Sequence, residues 1–88
     1  MLPYDPGKDA ANRVKHGIGL AVGSRVLADP ARIEILDVRA DYGEDRYICY
    51  GAVEGRVHVA VYTLRGGYPR FISVRKANDR EIARYRAG

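Results

Sequence analysis

Residues 57–77, VHVAVYTLRGGYPRFISVRKA, decide how the chain folds. β-Branched and aromatic residues dominate 57–64 and return over 70–74, the composition of half-buried strands. Between them, Gly66 and Gly67 supply the positive-φ backbone that a hairpin turn needs, and Pro69 keeps the exit extended. The cations sit at strand ends: Arg65 closes the first run, Arg70 opens the second, and Arg75-Lys76 ends it. Long cationic side chains at strand ends can reach a common anion while the strands stay apolar. The pattern predicts a phosphate-handling site at which Arg65 and Arg75 converge.

Working outward, 46–53 reads as a strand, and Glu54-Gly55 as a two-residue hairpin leading into Val57. Residues 33–38, Ile-Glu-Ile-Leu-Asp-Val, form a further strand, with a polar turn over 40–45. Asp29-Pro30 stops a helix over 20–28, whose apolar residues are Leu20, Val22, Val26 and Leu27. Gly23 weakens that helix by about 1 kcal/mol relative to Ala. Before it, Asp5 as N-cap and Pro6 at the first helical position start a helix that runs to about His16, with Gly17 as a left-handed cap. Ala10, Ala11 and Val14 are its expected apolar stripe, while Lys8, Asn12 and His16 share another face. Tyr4 and its neighbours are candidates for a short edge strand. Downstream, Asn78 and Glu81 stand in capping-box spacing, and Ile82 with Tyr85 give that helix an inward face. The layout is α+β: two N-terminal helices, an antiparallel meander of three to four strands, and one C-terminal helix.

A chain of 88 residues has room for one domain and one modest core. With 47% hydrophobic and 30% charged residues it is a globular chain rather than a disordered tail. No apolar run approaches the roughly 20 residues a membrane span requires, and no secretory signal is evident. The single Cys49 excludes an internal disulfide and fits a reducing cytoplasm. Charge is distributed unevenly. Residues 1–55 hold seven Lys/Arg against nine Asp/Glu, whereas residues 56–88 hold eight against two. That surplus is what an anionic partner meets as a patch; a solvated basic face is the plainer alternative.

His16 and His58 lie far apart in sequence and one cysteine makes no zinc cluster, so no metal-binding spacing is present and no cofactor is expected. Neither a phosphate-cradling glycine loop nor a serine-hydrolase elbow occurs. What remains is cations, a histidine and perhaps a tyrosine or carboxylate. RNA cleavage can be done with that kit, because the RNA's own 2′-hydroxyl attacks the neighbouring phosphate. The protein then supplies a general base, a general acid and fixed positive charge for the phosphorane-like transition state. Arg suits the last task through its planar, permanently charged fork, and His titrates near neutral pH. Arg65 and Arg75 are the leading pair, with solubilising charge as the competing explanation. Arg70 and Lys76 are candidates for positioning substrate. His16 ends a helix, where the dipole alone stabilises a cation by about 0.3–1 kcal/mol. His58 reads as a packed strand residue, Glu44 and Arg46 as partners of one another, and Tyr62 and Tyr85 as core or rim aromatics open to base stacking.

Across nearly its whole length the chain resembles the BrnT toxins of bacterial type II toxin–antitoxin systems. The resemblance is carried by Asn12 with Lys15-His16-Gly17-Ile18, by Asp29-Pro30, and by Gly43-Glu44 with Arg46. It continues through Val61-Tyr62-Thr63 with Arg65, then Arg70, Ile72-Ser73, Arg75-Lys76-Ala77, Glu81 and Tyr85. It implies a RelE-like fold and a metal-independent endoribonuclease that halts translation. It also implies a ribbon-helix-helix, BrnA-like antitoxin, in a heterotetramer of two toxins and two antitoxins that binds operator DNA. The two family arginines at strand ends correspond to Arg65 and Arg75. The expected site therefore comprises Arg65, Arg75 and His16 at the chemistry, with Arg70, Lys76, Lys15, Arg46 and Tyr62 holding RNA. Where the family commonly reads Ser-Phe-Glu-Glu-Ala, this chain has Gly19-Leu20-Ala21-Val22-Gly23, so the second helix is expected to be more buried or to meet a different partner surface. The alternative reading is a non-catalytic module that binds RNA or antitoxin and serves operon autoregulation.

Overall fold

The two glycine-containing turns fold the middle of the chain into a meander. The computed structural model describes residues 2–88. Its elements are α1 (Pro6–His16), α2 (Val22–Leu27), β1 (Ile33–Asp37), β2 (Arg46–Val53), β3 (Arg56–Arg65), β4 (Tyr68–Lys76) and α3 (Asp79–Ala87). The four strands form one antiparallel sheet in sequence order, so β1 and β4 are its edges. Each hairpin turn has two residues at positive φ: Glu54 and Gly55, then Gly66 and Gly67. That conformation matches the twist of the strands it joins. The second strand of the last hairpin is longer than its composition suggests, because Pro69 pairs with Leu64 within β4 instead of standing outside it.

Apolar residues alternate across the pleat, and the two sides bury different helices. Ala60, Tyr62, Phe71, Val74, Cys49 and Val53 point to one side, where Leu20 and Val26 meet them. Val57 and Val59 point to the other, where Ala77, Ile82 and Tyr85 cover them. Gly23 has a reason to stand in α2: a Cβ there would collide with the ring of Phe71, which is 1% exposed. Close packing on the sheet outweighs the helix propensity that Gly23 forfeits. Leu20 is fully buried, Val22 partly so, and Ala21 stays exposed, so the expected greater burial of this segment holds at only one of its two acidic-to-apolar positions.

Both ends of α1 form as its residues dictate. Asp5 accepts the Lys8 N–H at 3.0 Å, and Gly17 closes the helix at φ 71°. Its buried face is the reverse of the expected one. Val14 is 90% exposed and Asn12 only 6%. The cause is β4, whose outer edge needs hydrogen-bond partners. The Asn12 side chain donates to the Val74 carbonyl at 2.8 Å and accepts the Val74 N–H at 3.3 Å, and it also donates to the Ile18 carbonyl at 2.8 Å. Nearer the start of β4, the Phe71 N–H donates to the Pro3 carbonyl at 2.8 Å. The expected edge strand at Tyr4 amounts to an isolated parallel bridge with Phe71.

The capping box of α3 forms in full, with Asn78 accepting the Glu81 N–H and Glu81 accepting the Asn78 N–H, each at 2.9 Å. Asp29, read in sequence as a helix stop, also anchors α3. Its carboxylate accepts the Ala52 and Ala31 N–H groups and the Tyr85 hydroxyl. These hydrogen bonds hold its pKa below the usual carboxylate range. Cys49 is buried and its thiol is pushed up to about 12, chiefly by desolvation, which leaves it inert. No described helix is long and apolar enough to cross a membrane.

Candidate nucleic-acid interface

Residues paired across an antiparallel ladder point to the same face. Thr63 pairs with Arg70, Arg65 with Tyr68, and Val59 with Arg75. Residues 70 and 75 are an odd number apart and would point to opposite faces of a regular strand. A bulge prevents this: Val61 pairs with Ser73 but Tyr62 with Phe71, which leaves Ile72 as the extra residue. Arg65, Arg70 and Arg75 therefore share the α3 face. Arg46, one position before the Tyr47–Tyr62 pair, joins them.

Sharing a face is not convergence. Arg75 lies opposite Val59, six positions along β3 from Arg65. At about 3.3 Å per residue their backbones are roughly 20 Å apart. An antiparallel hairpin necessarily sends the start of one strand and the end of the other to the same tip. Arg65 therefore neighbours Arg70, and the expected meeting of Arg65 and Arg75 on one phosphate does not occur.

The hairpin end is the more loosely built. Glu44 approaches Arg65 at 4.0 Å, and both are substantially exposed. Glu44 is thus the partner of Arg65 and not, as expected, of Arg46. The Arg46 guanidinium lies 4.0 Å from the centre of the Tyr42 ring, a cation–π contact, and its Nε is buried with no hydrogen-bond partner among the described residues. Tyr42 is positioned in turn by Asp37, which accepts its hydroxyl at 3.1 Å and binds Arg39 through both oxygens at 2.8 Å. These bonds hold the Asp37 carboxyl far below its ordinary range, with the Arg39 side chain as the main cause. A cleft of about 550 Å³ opens beside this end, bordered by Arg65 and Arg70 and by the apolar Leu2, Leu27, Pro69 and Phe71.

At the opposite end the geometry is tight. Arg75 donates to both oxygens of Glu81, each at 2.8 Å, a bidentate pair on a carboxylate whose side chain is 13% exposed. The pair raises the pKa of Arg75 and lowers that of Glu81, the mutual hydrogen bonds being the largest cause in both. His16 and Lys15 end α1, which runs alongside β4. Partial burial first, then the charges of Lys15 and Arg75, hold His16 below its ordinary value.

Two expected members of the site lie elsewhere. Tyr62 is 6% exposed, stacks on Tyr47 and donates its hydroxyl to Glu34 at 2.9 Å, so it belongs to the core and offers no stacking surface. Lys76 pairs with His58, next to Arg75 in sequence and hence on the other face. There it borders a hollow of about 410 Å³ with Arg25 and Arg56. His58 is buried, and its Nδ1 lies 2.7 Å from the Arg56 carbonyl, to which it donates. No group of three His, Cys, Asp or Glu side chains among the described residues could hold a metal ion. Sequence reasoning assigned Glu81 to helix capping alone, and the pairing that makes it part of this face was not visible in it.

A face carrying several arginines is one that an anionic partner can meet, and comparison with known families gives the chain its family. The family model described as "Ribonuclease toxin, BrnT, of type II toxin-antitoxin system" matches residues 4–81. The chain belongs to the BrnT toxin family. As such it is a member of a family of ribonuclease toxins, and a type II system implies a protein antitoxin as partner. A search of curated proteins found no match. The family match spans every element of the sheet and ends at Glu81, the residue that grips Arg75.

Proposed function

We propose that this BrnT toxin is a metal-independent endoribonuclease that cleaves RNA across the α3 face of its sheet and thereby inhibits translation. The observation that carries the reading is the register, which sets Arg46, Arg65, Arg70 and Arg75 at positions of the same side of the sheet, with Arg65 and Arg70 also bordering the cleft beside Leu27 and Phe71. In this mechanism Arg46, Arg65 and Arg70 hold the RNA backbone at the hairpin end, as sequence-independent phosphate contacts do. Lys15 extends the cationic track beyond Arg75. At the α3 end the 2′-oxygen attacks the adjacent phosphorus and the bond to the 5′-oxygen breaks. The products are a 2′,3′-cyclic phosphate and a 5′-hydroxyl. His16, whose pKa is lowered by partial burial and neighbouring cations, takes the 2′-hydroxyl proton, and the leaving 5′-oxygen is protonated from water. Arg75 carries the extra negative charge of the phosphorane.

Around this centre the proposal places a RelE-like fold, a cytoplasmic setting and a ribbon-helix-helix antitoxin. Two toxins and two antitoxins form a heterotetramer that binds operator DNA. A second reading, a non-catalytic module that binds RNA or antitoxin, is favoured by one observation: Arg75 already has a carboxylate partner. A labelled single-stranded RNA incubated with the purified toxin in EDTA separates the two. Cyclic-phosphate products that vanish with Arg75→Ala support the ribonuclease. Folded protein that binds RNA with a steep salt dependence and leaves it intact overturns it.

A further inference from the structure

Arg75 has five N–H donors, and Glu81 takes two of them through a planar fork. A third, weaker contact runs from Nη1 to the Lys76 carbonyl at 3.4 Å. The rest of the guanidinium has no partner among the described residues, and the side chain is 36% exposed. Glu81 is itself fixed twice over. Its Oε1 also accepts the Asn78 N–H, and its own N–H donates to the Asn78 side chain. The first turn of α3 thus grips the carboxylate, and the carboxylate grips the arginine. A free arginine on a strand loses rotamer entropy when it binds phosphate, whereas this one has lost it already.

We infer that Glu81 is a positioning residue: through its bidentate pair it aims the unpaired edge of Arg75 at the scissile phosphate, its carboxylate steadied by the Asn78 backbone N–H, which any residue but proline at that position supplies. The inference rests on the assignment of Arg75 to the transition state given above. Glu81 touches no reacting atom and acts only through the guanidinium. Its effect therefore falls on the chemical step more than on RNA affinity, because the hairpin-end arginines hold the RNA.

Two substitutions separate positioning from capping. Glu81→Gln keeps a good capping residue at this place in the helix, since Gln serves there as Glu does. It cannot accept two hydrogen bonds from a guanidinium fork, because its amide nitrogen is a donor. Asn78→Ala removes the cap and leaves both oxygens of Glu81 for Arg75. Steady-state cleavage of a labelled RNA gives kcat and KM for each, and thermal denaturation reports folding. Positioning predicts that Glu81→Gln lowers kcat on the order of 10- to 100-fold, with KM changed by less than about twofold and a melting temperature near the parent's. It predicts that Asn78→Ala melts earlier but keeps its kcat. Parent-like cleavage by Glu81→Gln, alongside an inactive Arg75→Ala, overturns the positioning role alone. An equal loss of kcat in Asn78→Ala also overturns it, since the effect would then follow helix stability. Full activity of Arg75→Ala overturns the assignment beneath it.

Discussion

The hairpin end and the α3 end of the same sheet face hold arginines in different ways. Arg65 is 57% exposed and meets one loosely placed carboxylate at 4.0 Å. Arg75 is 36% exposed and held through two 2.8 Å hydrogen bonds on a carboxylate that a helix N-terminus has already fixed. Exposed, mobile cations attract phosphate from any sequence and adapt to it, but they lose entropy on doing so. A cation fixed beforehand attracts less, because its charge is partly neutralised, yet it needs no rearrangement as the transition state forms. Under the proposed function, the contrast places capture at one end and chemistry at the other.

The strongest way to break this division is Arg75→Ala. Loss of one fixed donor to a developing charge is expected to slow cleavage on the order of 10²–10³-fold, with RNA affinity little changed. A uniform loss of binding instead would merge the two ends into one electrostatic patch. Next comes the support that ties α1 to β4. Asn12→Ala leaves the Val74 N–H and C=O without their partner and is expected to cost about 1–3 kcal/mol in denaturant unfolding. Smaller is the effect of Arg65→Ala or Arg70→Ala. Each is expected to weaken RNA binding and to flatten the slope of log affinity against log salt by about 0.7, with kcat for bound RNA preserved.

The pH response sharpens the comparison further. His16 lies below its ordinary pKa of 6.5 in the folded protein, through burial and the charges of Lys15 and Arg75. The unfolded chain therefore binds the proton more readily. The contribution of His16 to stability is present above pH 6.5 and is lost as pH falls towards its folded value. Cleavage is expected to rise with pH through an inflection below 6.5. His16→Ala should remove that inflection, and Arg75→Ala should move it upward by removing a positive neighbour. The smallest effect belongs to Glu44→Gln at the loose end, where stability is expected to stay within about 0.5 kcal/mol and RNA affinity to rise slightly.

Elements whose instructions are local were legible in the sequence. Asp5-Pro6, Gly17, Glu54-Gly55, Gly66-Gly67 and the Asn78–Glu81 box act within a few residues of themselves, and each forms as read. The candidate site was legible in its residue types and only half legible in its arrangement. Arg65 and Arg75 were rightly seen as strand-end cations, but which ends meet depends on strand register. Asn12 reads in sequence only as sharing a face with Lys8 and His16, because its partner, Val74, is distant in sequence. Glu44 was paired with its sequence neighbour Arg46, while the fold brings Arg65 to it. Gly23 weakens its helix when read locally, and the reason for it, the ring of Phe71, lies far along the chain. A lone Asn or Asp next to a buried segment is the signal that could have found such anchors, since buried polar groups need partners.

The unpaired Ile72 makes the functional surface a matter of parity. Drawing that residue into the ladder, with the chain length unchanged, would reverse the inside–outside order of everything after it, driving a guanidinium into the apolar layer and turning Val74 to solvent. The chain can therefore exchange side chains in this stretch far more freely than it can shift its register. An evolving lineage could retune the basic track residue by residue, yet a one-residue slip at this point would turn the strand inside out.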